Sequence, residues 1–138
     1  MLSAEQTDAL RLLGRSIKAH CPPGVGFALF VDGLYLATGD RGDVRTLISG
    51  WLEHTLGPSR RSSDELRDGE SASEHASRLV LEEWCAKTAR GIVFDARALI
   101  LFVFDFEPRN ADRLAWRALG DEALILRMLR EFVGGGMS

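Results

Sequence analysis

The sequence predicts an α+β fold: tandem αββα repeats forming a four-stranded antiparallel-type sheet with four helices and a pseudo-two-fold axis. Three observations predict it. Val25–Val31 and Ala98–Phe106 are apolar on both faces of a period-two pattern, which marks central strands. Each run is followed by a turn, a second short strand and a capped helix with an apolar stripe. The second strand and last helix of one half also superpose on those of the other without a gap, at an offset of 81. Tyr35 then falls on Trp116, Ala37 on Ala118, Gly39 on Gly120 and Asp40 on Asp121, while Leu47, Ile48 and Trp51 fall on Met128, Leu129 and Phe132. Strands 1 and 3 should therefore lie side by side, giving the order 2-1-3-4. Residues 1–138 read as a single domain, with one repeat over 1–58, a flexible acidic and serine-rich loop over 59–72, and the second repeat over 73–133.

The elements follow in order. The first helix spans Ala4–Ala19, opened by a Ser3/Gln6 capping box, striped by Leu10, Leu13 and Ile17, and stopped by Pro22-Pro23. Asp32-Gly33 joins strand 1 to strand 2 (Leu34–Thr38), because both residues tolerate the positive φ of a two-residue hairpin turn. Asp40 caps the second helix, whose stripe is Val44, Leu47, Ile48 and Trp51, and Gly57-Pro58 ends it. Ser59–Ala72 contains one large apolar residue, Leu66, too few for a packed helix. The third helix runs Ser73–Arg90, with Ser71 and Glu74 as a capping box, Gly91 as C-cap, and Ala76, Val80, Leu81, Trp84, Cys85 and Thr88 directed inward. Strand 3 is Ala98–Phe106 and strand 4 is Asp112–Leu119. Asp121 caps the last helix, which buries Leu124, Ile125, Met128, Leu129 and Phe132. The helices are free to cover one face of the sheet or both; if they crowd one, the other exposes an apolar surface that invites a partner or a dimer.

Composition excludes several classes. The chain of 138 residues is 46% hydrophobic and 27% charged, with a formal net charge of -3. Acidic and basic residues are spread evenly over both halves, without the basic block that nucleic-acid binding draws on. No apolar run approaches the length of a membrane span, and the polar opening MLSAEQTDAL has no signal-peptide pattern, so a cytoplasmic location is expected. Cys21 and Cys85 read as reduced thiols. His20, His54 and His75 have no metal-ligand spacing with each other or with the cysteines, so no metal is expected. Phosphate-loop, dinucleotide and nucleophile-elbow motifs are absent, and no cofactor is expected.

The stretch Phe27–Trp51 resembles a widespread family of small proteins of phages, prophages and mobile elements. Gly26, Phe27, Leu29, Tyr35, Leu36, Arg41, Asp43, Leu47 and Trp51 occupy matching positions of the family pattern. Ala37, Thr38, Gly39 and Val44 replace its Ser, Asn, Ala and Met. The second copy keeps the Phe-x-Phe of the strand and the Leu-Arg-Glu-Phe that ends at Phe132, but lacks the Asn, Arg and Asp. The resemblance covers about half of the chain. It implies an αββα unit in a mobile-element setting and brings no catalytic activity with it.

Two polar groupings are candidate binding sites. Asp40, Arg41 and Asp43 gather at the start of the second helix, where free amides attract anions and Arg41 offers a planar donor fork. The two carboxylates already suit those amides, so capping is the simpler role. Asp105 and Glu107 share one face at the end of strand 3, as an acid/base pair or as a solvated strand end. Glu82 and Glu83 are adjacent on a helix and diverge, and Trp51, Trp84 and Trp116 have core spacing. The expected function is a non-enzymatic protein-binding module, with an anti-CRISPR-like inhibitor of a bacterial defence system as the specific form. The partner is a host or defence-system protein, or a second copy in a homodimer. The alternative is a regulatory domain for a small anion or nucleotide, held near Arg41 or between the repeats.

Overall fold

The protein is described from a computed structural model, which covers residues 3–20, 25–38, 41–54, 72–92, 97–105 and 115–135. The elements are α1 (Ala4–His20), β1 (Val25–Val31), β2 (Leu34–Ala37), α2 (Arg41–His54), α3 (Ala72–Ile92), β3 (Ala98–Asp105), β4 (Ala115–Gly120) and α4 (Glu122–Val133). This is the α+β set of four helices and four strands read from the sequence. The helix expected to stop at Gly91 runs through it to Ile92. Of the expected 59–72 loop only Ala72 is described, as the first residue of α3; the rest of it, Cys21, the Asp40 and Ser71 caps and the 112–114 start of strand 4 lie outside the described residues.

The sheet is antiparallel throughout, in the order β2-β1-β3-β4. β1 and β3 pair along their length, from Val25 opposite Asp105 to Val31 opposite Leu99. Side chains alternate across a strand, so this register sorts the two central strands into two cores. Ala28, Phe30, Ile100, Phe102 and Phe104 point to one face, where Val44, Ile48 and Trp51 of α2 and Ile125, Leu129 and Phe132 of α4 meet them. Phe27, Leu29, Val31, Leu99, Leu101 and Val103 point to the other, against Leu10, Leu13 and Ile17 of α1 and Cys85 and Ala89 of α3. Each buried Val, Leu, Ile or Phe among them contributes about 1.5–3 kcal/mol by leaving water. Helices thus cover both faces, and an exposed apolar sheet face is not the binding surface. Leu124, expected in the core, is half-buried and packs at its margin.

The caps are local. Ser3 and Gln6 exchange backbone-to-side-chain bonds at 2.9 and 3.1 Å, and Asp121 Oδ1 accepts from the amides of Ala123 and Leu124. The turns do more. Asp32 adopts φ +43°, and its carboxylate reaches across to the start of β3, accepting from Arg97 N at 3.0 Å and Ala98 N at 2.8 Å. The Asp32 amide in turn donates to Ala98 O, and the Asp121 amide donates to Arg97 O. Gly120, at φ +103°, makes that second approach possible, because a Cβ there would strike the Arg97 carbonyl oxygen. Two loops from separate halves are therefore clamped on one dipeptide. At the opposite end of β2, the Phe27 amide donates to Thr38 Oγ1 and the Thr38 amide to Phe27 O, both at 3.0 Å. Gly26 leaves the room, since a Cβ would lie 2.7 Å from Thr38 Oγ1.

Asp32→Ala removes charge-assisted acceptors and the tolerance for positive φ together, and is expected to cost about 2–3 kcal/mol in urea unfolding. Asp32→Asn keeps both in weakened form and should cost less; equal losses would mean the carboxylate clamp contributes nothing beyond the turn.

Candidate functional site

Arg41 opens α2 and is a packed residue. Its guanidinium carbon lies 5.4 Å from the Tyr35 ring centroid and 5.1 Å from that of Phe132. Those rings are themselves 4.7 Å apart, and Phe30 stands 4.9 Å from Phe132. The cation therefore ties the start of α2 to β2 and to the end of α4, a contact of about 0.5–1 kcal/mol. Asp43 sits half-buried in the first turn of α2, where a carboxylate favours the helix dipole. Asp40 and Glu107 lie outside the described residues, as does the side chain of Asp105, whose backbone ends β3 opposite Val25.

Helix α3 departs most from the sequence reading. Glu82, read from the sequence only as diverging from Glu83, is fully buried, and its Oε1 accepts from Arg78 Nη1 at 3.1 Å, with Arg78 also buried. Trp84, expected in the core, is 39% exposed. Cys85 and Ala89 complete the inward face, and Cys85 is a free buried thiol. The i,i+4 spacing of Arg78 and Glu82 was the available signal for their pairing. Their burial was not legible, because helix periodicity places residues on a face without saying which face turns inward. The other two tryptophans do belong to the core side: Trp51 is buried, and its ring lies 5.1 Å from Phe102 and 5.4 Å from the half-buried Trp116.

Two clefts flank the sheet. The larger, of about 300 Å³, lies beside the β1–β2 turn against α4. Its described lining is balanced, Asp32 and Glu131 against Arg97 and Arg127, with the Asp32 carboxylate held by β3 amides and Arg127 facing Glu131 at 3.7 Å. The second, of about 260 Å³, lies between α1 and edge strand β2, with Arg11, Arg15 and Lys18 along one wall, Leu36 to Thr38 along the other and Phe27 beneath. Among the described residues no carboxylate lines it. The residues of this second cleft were not singled out from the sequence; their three- and four-residue spacing was visible, but not what lay opposite.

Among the described residues no group of three or more histidine, cysteine or acidic side chains gathers as a metal site would require, and no helix is long and apolar enough to cross a membrane. Comparison with protein-family models, with curated proteins and with solved structures yields no match for this chain.

Removing one member of the buried ion pair takes a charge partner from the other within a largely apolar layer. Glu82→Ala is expected to lower unfolding free energy by about 3 kcal/mol, while the double change Arg78→Met with Glu82→Leu should recover most of that loss. Chemical denaturation of the three variants measures it, and an equal deficit in the double variant would place the pair's value elsewhere.

Proposed function

We propose that this chain is a non-enzymatic protein-binding module and that the outer face of α3 meets the partner. One observation carries the reading: α3 inverts the usual burial preference. It turns a charged pair inward and leaves a tryptophan 39% exposed. Lone exposed leucines are ordinary, whereas a buried charged pair and an exposed tryptophan on one helix are informative. Tryptophan concentrates binding energy at protein interfaces because it buries much area with little side-chain entropy to lose. Leu12, 60% exposed on the neighbouring helix α1, adds a second large apolar side chain to that layer. With both sheet faces covered, the helical layers and sheet edges are the surfaces that the described residues leave to offer.

The resemblance of Phe27–Trp51 to phage and mobile-element proteins supports a cytoplasmic setting in which the partner is a host or defence-system protein. The specific form proposed is an anti-CRISPR-like inhibitor. A homodimer through the same face is the competing assembly. The alternative function, a regulatory domain for a small anion, is favoured by a different feature, the cationic cleft beside α1.

Affinity capture from bacteria carrying an active defence system should recover a partner with the wild-type chain. Trp84→Ser is expected to weaken that partner's binding tenfold or more, with helical content unchanged by circular dichroism, and Leu12→Ser to weaken it less. Phage plating should be relieved by the wild-type chain only where the defence system is present. Retention of the partner by the double variant, or a concentration-dependent dimer abolished by Trp84→Ser, sinks the proposal.

A further inference from the structure

We propose that the cleft between α1 and β2 binds the phosphate groups of a small phosphorylated molecule. The inference does not rest on the protein-binding role of α3. Arg11, Arg15 and Lys18 recur at spacings of four and three, which puts them on one flank of α1 beside its buried stripe. All three are exposed, and none is seen in an ion pair or hydrogen bond with another side chain among the described residues. Like charges at these spacings repel and destabilise the helix that carries them. On α1 itself Asp8 stands one turn before Arg11, whereas Arg15 and Lys18 have no carboxylate three or four residues away, so the far end of the row lacks a neutralising neighbour on its own helix. The last turn of a helix welcomes positive charge, but Arg11 lies well before the last turn of α1, so the dipole does not account for the row.

The opposite wall supplies what a charged patch alone lacks. Thr38 is 7% exposed, lines the cleft, and uses its Oγ1 to accept from the Phe27 amide, so its own hydroxyl proton has no acceptor among the described residues. Leu36 and the ring of Phe27 give an apolar floor in which charge–charge attraction is less screened than on open surface. Two planar guanidinium forks, one ammonium and one hydroxyl suit the several oxygens and multiple charge of a phosphate or diphosphate better than a single carboxylate. At about 260 Å³ the cleft matches a group of that size with part of the molecule attached. A nucleic-acid strand is a poorer fit: Phe27 is buried and offers no face for base stacking, and the chain carries net charge -3.

Isothermal titration at low ionic strength with inorganic pyrophosphate and with ADP tests this. One saturable site is expected, with affinity falling as salt rises. Arg15→Ser should raise Kd about tenfold or more, and Arg11→Ser with Arg15→Ser should abolish binding. Arg127→Ser, in the other cleft, should leave it unchanged. Because the altered side chains are exposed and mutually repelling, their thermal midpoints should equal or exceed the wild-type value. Amide resonances of Leu36 and Thr38 should shift on titration. Absence of saturable binding, undiminished binding by the double variant, citrate binding as tightly as pyrophosphate, or a single-stranded oligonucleotide binding more tightly than ADP would each overturn the assignment.

Discussion

The pairing of β1 with β3 is the constraint on which the rest of the molecule depends. Seven consecutive positions of one strand face seven of the other, from Val25–Asp105 to Val31–Leu99. Because side chains alternate, this one ladder divides the large apolar residues between two faces and obliges both to be covered. Its two ends are closed differently. At the Val31 end, the Asp32 carboxylate and the Asp121 amide converge on Arg97 and Ala98. At the Phe27 end, the Thr38 hydroxyl and amide close β2 onto β1. A one-residue slip of β1 against β3 would exchange the two cores and break the Asp32 contacts with Arg97 and Ala98, so packing and the β1–β2 turn fix the same register.

The two covering layers are chemically unlike. The α2/α4 side is aromatic: Phe30, Tyr35, Trp51, Phe102, Trp116 and Phe132 meet in tilted and edge-on pairs, and the Arg41 cation seals one end. The positions matched by the internal offset meet crosswise there, Tyr35 on Phe132 and Trp116 on Trp51. The α1/α3 side is aliphatic, with the Arg78–Glu82 pair sunk into α3, Trp84 left in water, and cations along the flank of α1. A layer that carries a buried charge pair, an exposed indole and a repelling row of cations gives up stability at three places. The opposite layer carries a cost of its own, with Trp51 Nε1 buried and lacking a hydrogen-bond partner among the described residues; what places both proposed binding surfaces on the α1/α3 side is the exposed Trp84 and the cationic flank of α1.

Local chemistry was readable wherever a residue acts on its near neighbours. The Ser3/Gln6 box, the Asp32-Gly33 turn and the Asp121 cap each depend on a few consecutive residues, and each forms as expected. The strand order 2-1-3-4 was readable because two doubly apolar strands have to occupy the centre of a sheet. The candidate site was less legible. Arg41 carries a recognisable motif position, but the rings that engage it come from β2 and α4, far apart in sequence.

The sequence by itself determined the helices and strands, the Ser3/Gln6 and Asp121 caps, the antiparallel sheet and which strands are central, since each follows from periodicity and turn chemistry acting over a few residues. Tertiary structure alone decided three things: that helices close both faces, that α3 faces inward with Arg78 and Glu82 rather than Trp84, and that the basic flank of α1 opposes edge strand β2. All three depend on how a helix is rotated and on which strand it crosses. Those are set by the summed packing of distant side chains, a quantity that no local window of sequence contains.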